Sequence, residues 1–148
     1  MIHTCNDLKD AETLWVETNI GCRQCIFGVI YRHLKCDCKR FTDDVITILH
    51  YLSDKRLPYI ICGDIGINVL QRTSSSSRHN YIATYETYNC QQLITRPTSA
   101  SLIDHFCTTF YVEKVIPGRL INDLSRHLPI FMLINSNTIK TNDKKPIM

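Results

Sequence analysis

Near the start of the chain, a segment of alternating apolar and polar residues is followed by a continuous apolar segment. Together they predict two adjacent strands. Within residues 12–20, the side chains on one face are Leu14, Val16, Thr18 and Ile20. Because successive strand residues point to opposite sides, this alternation predicts a half-buried strand. Residues 25–31 form an apolar, β-branched run that is too short for a helix and predicts a buried strand. Since Gly21 is available for the turn, the two segments predict a hairpin.

Two later segments have apolar or aromatic residues at helical spacing. The first has apolar residues on one helical face between positions 41 and 52: Phe41, Val45, Ile48, Leu49 and Leu52. Polar residues 42–44 offer an N-cap, and Pro58 predicts that the helix ends before it. The second segment has Tyr81, Tyr85 and Tyr88 at helical spacing, which predicts a helix over residues 79–92.

Three further apolar runs, at residues 59–63, 101–110 and 128–134, predict strands. Strands and helices therefore alternate behind a leading hairpin, an order typical of an α/β or α+β layered domain. We place this domain at residues 12–135, with polar terminal tails at 1–11 and 136–148.

Composition narrows the class of protein without indicating a function. Of the 148 residues, 44% are hydrophobic and 21% are charged, which is enough apolar material for a folded core. The run at 128–134 is far shorter than the ~20 residues of a membrane helix, and residues 1–10 lack the apolar segment of a secretion signal. Eight cysteines without such a signal predict reduced thiols. We therefore expect an intracellular protein, nuclear or cytoplasmic, that is neither secreted nor membrane-bound.

Three polar residues stand where apolar strands are predicted to begin or end. Asp64 follows Gly63 after the strand at 59–63, a position where ligands and catalytic groups collect. Asp104 interrupts an apolar run and needs a partner if it is buried. His127 precedes the last strand, where a carboxylate such as Asp104 could hold its imidazole as a base. Each residue alone is also consistent with a structural turn or cap, whereas the three together favour a site.

The order of the motifs around these residues resembles the endonuclease/exonuclease/phosphatase superfamily. The motifs are Gly63-Asp64-x-x-Ile67-Asn68, then Arg96-Pro97-Thr98 followed by Leu102-Ile103-Asp104-His105, then Ser125-x-His127-x-Pro129. Segments 13–17 and 28–32 are similar to central strands of the same fold. Over residues 12–134, the chain most resembles the endonuclease domain of non-LTR (LINE-type) retrotransposons.

The resemblance implies a two-sheet α/β sandwich flanked by helices, and cleavage of DNA phosphodiesters that depends on Mg²⁺ or Mn²⁺. In the family's pattern, Asp64 orients or activates the attacking water, Asp104 orients the active-site histidine, and His127 is that histidine. The candidate contacts to substrate are Asn68, Arg96, Thr98 and Arg126.

Departures from the family's pattern predict a catalytically impaired chain that holds metal weakly or not at all. Gly66 stands where the family has an asparagine whose amide contacts the phosphate, and Arg126 stands where it has a carboxylate beside the metal. The family's N-terminal part, with its metal-binding glutamate, has no counterpart upstream of the strand at 12–20, so we expect an N-terminally truncated fold. Such a fold would leave an apolar sheet face uncovered, which predicts a protein partner.

A non-catalytic interaction module with a zinc site is the alternative hypothesis. Four thiols in two close pairs are available, as in many zinc sites: Cys22, Cys25, Cys36 and Cys38. The second pair is separated by one residue rather than the usual two to four, and Cys25 begins a strand that is predicted to be buried. The spacing therefore favours reduced, structural thiols.

Overall fold

A mixed sheet forms the centre of the protein in the computed structural model, which describes residues 2–3, 11–69, 76–97, 101–110, 115–121 and 126–135. Its six strands are β1 (Ile2–His3), β2 (Ala11–Ile20), β3 (Arg23–Arg32), β4 (Tyr59–Asp64), β5 (Gln91–Gln92) and β6 (Asp104–Thr108). They lie in the order β1-β2-β3-β4-β6-β5. A separate two-stranded sheet consists of β7 (Val115–Arg119) and β8 (Ile130–Ile134). The helices are α1 (Cys38–Asp54) and α2 (Ser76–Thr87).

The connection from β3 through α1 to β4 determines which strand ends meet. β2 and β3 form the predicted hairpin, and Gly21 in its turn has a φ of 61°. β3 and β4 are parallel, which requires a crossover such as α1 between them. β6 then pairs antiparallel with β4. The last residue of β4 therefore lies opposite the first residue of β6.

Helix α1 has the predicted apolar face but begins earlier than expected. Its buried side chains are Phe41, Thr42, Val45, Ile48, Leu49 and Leu52. The N-cap is Asp37, whose carboxylate accepts a hydrogen bond from the Arg40 backbone N–H at 2.8 Å. The N-cap predicted at residues 42–44 is wrong, because the cap lies a full turn before the first apolar residue. Thr42 lies inside the helix and donates its hydroxyl to the Cys38 carbonyl.

Helix α2 contains Tyr81 and Tyr85 as predicted, but it ends before residue 92. Asn89 adopts a φ of 52°, a left-handed conformation that asparagine tolerates. The Cys90 N–H then donates to the Tyr85 carbonyl at 2.9 Å and closes the helix. In the part of the chain that the structure describes, no helix is long and apolar enough to cross a membrane.

The short strands β1, β5 and β7 were not predicted. β1 and β5 have two residues each, which is too few for a visible alternation. β7 contains Pro117 and Gly118, both of which usually interrupt strands. They are tolerated here because β8 is the one strand that pairs with β7 among the residues the structure describes, and proline is compatible with an edge strand.

The central sheet separates two cores. On one face, the helices pack their apolar side chains against residues such as Ile30 and Ile61. On the other face, the second sheet packs against a cluster that includes Cys25 and Ile60. Two packed sheets, with helices on the outer face of the larger one, confirm the predicted α/β sandwich architecture.

Part of the face that carries the second sheet is exposed to solvent. Leu14, its cross-strand partner Val29, and Tyr31 are exposed apolar residues on this face. On the second sheet, the paired residues Ile116 and Leu133 are also exposed. These residues form the kind of surface that the expected protein partner would cover, and that partner stays a prediction.

Candidate active site

The candidate site begins at Gly63, which lets β4 end in close contact with β3. Gly63 has a φ of 143°, and a Cβ at this position would lie 1.8 Å from the carbonyl oxygen of Ile30. No side chain fits at that distance, so glycine is needed for the two strands to stay together here. The following residue, Asp64, is thereby held at the end of β4.

Asp64 and Asp104 face each other across the last pair of the β4–β6 ladder. Residues directly opposite in an antiparallel pair project to the same face with neighbouring Cβ atoms. The Asp104 side chain is 14% exposed. Two carboxylates therefore share one partly buried edge of the sheet.

His127 approaches this edge from the segment that precedes β8. Its Nδ1 atom lies 3.1 Å from Asp104 Oδ2 and 3.3 Å from Oδ1. Candidate ligand atoms of Asp64, Asp104 and His127, one from each residue, all lie within 4.8 Å of one another. We call these three residues the Asp–Asp–His cluster. The structure thus brings together the residues that the sequence singled out, and their catalytic roles stay predictions.

The cluster carries an excess of negative charge. Burial raises the pKa of the Asp64 carboxyl above its usual value, and the charge of Asp104 raises it further. His127, the Gly66 backbone N–H and Arg32 lower the same pKa without cancelling the increase. A bound cation would relieve the repulsion between the two carboxylates.

The donor atoms of the cluster fit a hard divalent cation. Carboxylate oxygens are the ligands that Mg²⁺ and Mn²⁺ prefer in proteins, and the structure supplies two carboxylates. Nearby positive groups of the protein do not fully offset the negative charge at Asp64. Asp64 and Asp104 are thus the residues that would hold such an ion.

The turn after Asp64 depends on Gly66 and on the buried residue Arg32. The Gly66 N–H donates to Asp64 Oδ1 at 3.1 Å, and Gly66 has a φ of 63°. Arg32 donates from Nη1 to the Ile65 carbonyl at 3.3 Å and from Nη2 to the Cys36 carbonyl at 3.0 Å. Arg32 is only 8% exposed. Sequence reasoning missed its role, because a charged residue at the end of a strand is usually solvated.

The other predicted contacts to substrate have varied positions. Asn68 accepts a hydrogen bond on Oδ1 from the Leu102 N–H at 3.2 Å, so its side chain links the loop after β4 to the segment before β6. Arg96 is exposed beside a surface groove, and Arg126 is exposed next to His127. Thr98 lies outside the described residues. Contact of these residues with substrate stays a prediction.

The four cysteines of the zinc hypothesis do not meet. Cys25 is buried in the core between the two sheets, whereas Cys36 and Cys38 pack against the core beneath the helices. Cys22 is exposed in the hairpin turn. Within the described ranges, the Asp–Asp–His cluster is the one group that could hold a metal ion. The central sheet lies between Cys25 and the second pair, so these four thiols do not share one site, and the zinc alternative stays a prediction without support from the described residues.

Solved structures identify the fold. The endonuclease domain of TRAS1, a telomere-specific non-LTR retrotransposon, matches with a TM-score of 0.67 and 12% identity, over 90% of this chain and 66% of that chain. An endonuclease/exonuclease/phosphatase family protein from Bacteroides thetaiotaomicron matches with a TM-score of 0.53 and 13% identity, over 81% and 52% of the two chains. The human Nocturnin catalytic domain matches with a TM-score of 0.52 and 15% identity, over 83% and 53%. No protein-family model and no curated protein matches the chain.

At these identities the likeness concerns the fold and not the activity. The chain spans between about half and two thirds of the length of the structures that it matches. The match with the TRAS1 domain agrees with the resemblance seen in the sequence motifs. The protein therefore has the endonuclease/exonuclease/phosphatase fold, with an Asp–Asp–His cluster at one edge of its central sheet.

Proposed function

We propose that the protein is a divalent-metal-dependent phosphodiester hydrolase that cuts DNA. The observation that carries the proposal is the Asp–Asp–His cluster, whose candidate ligand atoms lie within 4.8 Å of one another. The matched TRAS1 domain is named as an endonuclease, which supports a nucleic-acid substrate for the same fold. The proposed partner is therefore DNA.

The pairing of His127 with Asp104 supports a role in proton transfer. The Asp104 carboxylate accepts a hydrogen bond from Nδ1–H of His127, which fixes the tautomer in which Nε2 can take up a proton. The His127 side chain is 43% exposed, so a substrate can reach the ring from solvent. We assign to Nε2 the exchange of a proton with the attacking water or with the leaving oxygen.

Asp64 supports a second role, which is to orient the attacking water. The Gly66 N–H fixes the orientation of the carboxylate, so that it can accept a hydrogen bond from the attacking water in a defined direction. Mg²⁺ or Mn²⁺ held by Asp64 and Asp104 would, when bound, neutralise negative charge on the phosphate.

Replacement of Asp64 by asparagine tests the proposal. Purified protein with Mg²⁺ is expected to nick supercoiled plasmid, and chelation of the metal is expected to abolish nicking. Asp64→Asn is expected to lower the rate by about 100-fold or more, because it removes a carboxylate that both orients the attacking water and holds the metal. Asp43→Asn, at an exposed position of α1, is the matched control and is expected to leave the rate unchanged. Nicking by Asp64→Asn at the wild-type rate would contradict the proposal.

The proposed activity is slow, because the Asp–Asp–His cluster lacks two polar groups of the family's pattern. Gly66 has no amide for the phosphate, and Arg126 places a positive charge where the family has a carboxylate. Asparagine tolerates the left-handed backbone of Gly66. A Cβ there would lie 3.2 Å from Arg32 Nη1, so a small shift of that side chain is needed.

Restoring both groups measures how much they limit the rate. The double variant Gly66→Asn/Arg126→Asp is expected to increase plasmid nicking by about tenfold or more, because one well-placed donor to a reacting anion contributes strongly to catalysis. The single variants Gly66→Asn and Arg126→Asp show how much of the increase comes from each position. If the double variant nicks no faster than the wild type, these two positions do not explain a low rate.

We propose that the protein works inside the cell, in the nucleus or the cytoplasm. Among the described residues, Cys25, Cys36, Cys62, Cys90 and Cys107 are free thiols, which fits a reducing compartment.

A further inference from the structure

A buried histidine lies directly behind the Asp–Asp–His cluster. His105 follows Asp104 on β6, so its side chain points to the opposite face of the sheet, where it is 2% exposed. Its Nε2 atom lies 3.1 Å from the carbonyl oxygen of Ile67, and its Nδ1 atom lies 3.3 Å from the hydroxyl of Tyr81. Hydrogen bonds therefore connect helix α2, through His105, to the loop that follows β4.

The chemistry of the groups determines the tautomer of His105. A carbonyl oxygen can only accept a hydrogen bond, so Nε2 must carry the hydrogen that is shared with Ile67. The ring is 2% exposed and both of its hydrogen-bond partners are uncharged, and because a buried charge without a paired counter-charge is costly, the ring is neutral. Nδ1 is then an acceptor, and the hydrogen of the Tyr81 hydroxyl is shared between Nδ1 of His105 at 3.3 Å and the Tyr85 hydroxyl at 3.1 Å.

The loop that His105 contacts also contacts Asp64. The N–H of Gly66, the residue before Ile67, donates to Asp64 Oδ1 at 3.1 Å. Two backbone hydrogen bonds tie the ends of this loop to the segment before β6. Between those ends, Gly66 has the conformational freedom of a glycine with positive φ, so the direction of its N–H depends on how Ile67 is held.

We propose that His105 is a positioning residue for Asp64. It holds the Ile67 carbonyl so that the Gly66 N–H stays directed at the Asp64 carboxylate, and Tyr81 keeps the ring in the required tautomer. This inference deepens the proposed function, on which it rests, because the oriented carboxylate is the one assigned to the attacking water. Asp104 and His105 are consecutive on β6 and project to opposite faces of the sheet. The strand therefore contributes Asp104 to the Asp–Asp–His cluster on one face and supports Asp64 through His105 on the other.

Amide hydrogen exchange in the full chain tests the inference independently of catalysis. Tyr81→Phe removes the donor to His105 and keeps the aromatic ring, and the Gly66 amide is expected to exchange about fivefold faster. Tyr85→Phe is the matched control, since Tyr85 is equally buried on the same helix and its hydroxyl accepts from that of Tyr81, so its removal leaves the Tyr81 hydrogen available to His105. Its Gly66 amide is expected to exchange within twofold of the wild-type rate. Amides of the β2–β3 hairpin are expected to be unchanged in both variants.

Substitutions of His105 itself separate positioning from packing. His105→Gln can donate to Ile67 and accept from Tyr81, so it is expected to keep Gly66 protected, whereas His105→Phe is expected to lose that protection. In the nicking assay, Tyr81→Phe is expected to lower kcat about tenfold with KM unchanged, and His105→Gln is expected to retain most of kcat. Ring ¹⁵N shifts of the wild type are expected to show the Nε2–H tautomer.

The hydrogen exchange of the Gly66 amide tests the role of His105 even if the wild-type protein does not nick DNA. In that case the proposed function fails, while faster Gly66 exchange in Tyr81→Phe alone would still support the positioning of Asp64 by His105. Unchanged Gly66 exchange in Tyr81→Phe, or the Nδ1–H tautomer in the wild type, would overturn it. If His105→Phe does not fold, the pair Tyr81→Phe and Tyr85→Phe carries the test.

Discussion

His127 and His33 can be compared directly, because each imidazole lies against a carboxylate at the protein surface. His127 Nδ1 is 3.1 Å from Asp104, and His33 Nε2 is 3.3 Å from Glu12. The two histidine side chains are equally accessible, at 43% and 44% exposure. Their carboxylates differ, because Asp104 is 14% exposed and Glu12 is 75% exposed.

The difference lies in what surrounds each carboxylate. Asp104 is held at a strand end opposite a second carboxylate, Asp64, whereas Glu12 lies opposite the neutral residue Tyr31 and projects into solvent. Water screens an exposed ion pair, so such a pair contributes little. A histidine–carboxylate pair becomes a candidate site where the backbone holds the carboxylate away from water and beside another charge.

The largest difference between the two pairs is expected in activity. His127→Ala should lower plasmid nicking by about 10²- to 10⁴-fold, the range for loss of a general acid or base, with little change in the free energy of unfolding. His33→Ala removes an equally exposed imidazole and should leave the nicking rate within twofold. Equal losses in the two variants would show that the comparison does not distinguish a site from a surface pair.

Sequence reasoning located one of these pairs and not the other. Asp64 and Asp104 could be predicted because each interrupts an apolar pattern at a strand end. The pair of His33 with Glu12 depends on the register of β2 against β3, which residue spacing does not specify.

Burial was the other property that the sequence did not reveal. Arg32 and His105 are polar residues that the fold encloses, and both contact the loop after Asp64 through backbone carbonyls. Their partners are carbonyl oxygens of residues 65 and 67, and every residue type offers such an oxygen. No residue pattern can therefore indicate these contacts, whereas the apolar face of α1 was predictable because helical spacing itself produces it.

A third histidine, His105, is fully buried, and its burial is expected to make the free energy of unfolding depend on pH. His105 has a folded pKa of about 4 against an ordinary value of 6.5. Between these pH values the unfolded chain binds a proton that the folded protein does not, so the free energy of unfolding falls as pH decreases through this window. The total loss is roughly 3 kcal/mol.

His105→Gln isolates this contribution. Asp64, whose pKa is raised, acts in the opposite direction in both proteins. Denaturant unfolding at several pH values should therefore show a smaller loss of stability between pH 6.5 and 4 for His105→Gln than for the wild type. The same pH dependence in both proteins would contradict the buried, neutral state of His105.

The central claim is that the Asp–Asp–His cluster binds a divalent cation and that the His33–Glu12 pair does not. The most direct test adds substoichiometric Mn²⁺ to ¹⁵N-labelled protein and measures the paramagnetic broadening of each backbone amide, which falls steeply with distance from the ion. We expect the amides of Gly66, Asp104 and His127 to broaden first and to recover with excess Mg²⁺, while those of Glu12 and His33 stay sharp. Broadening centred on Glu12 and His33, or absent from Gly66, Asp104 and His127, would contradict the account.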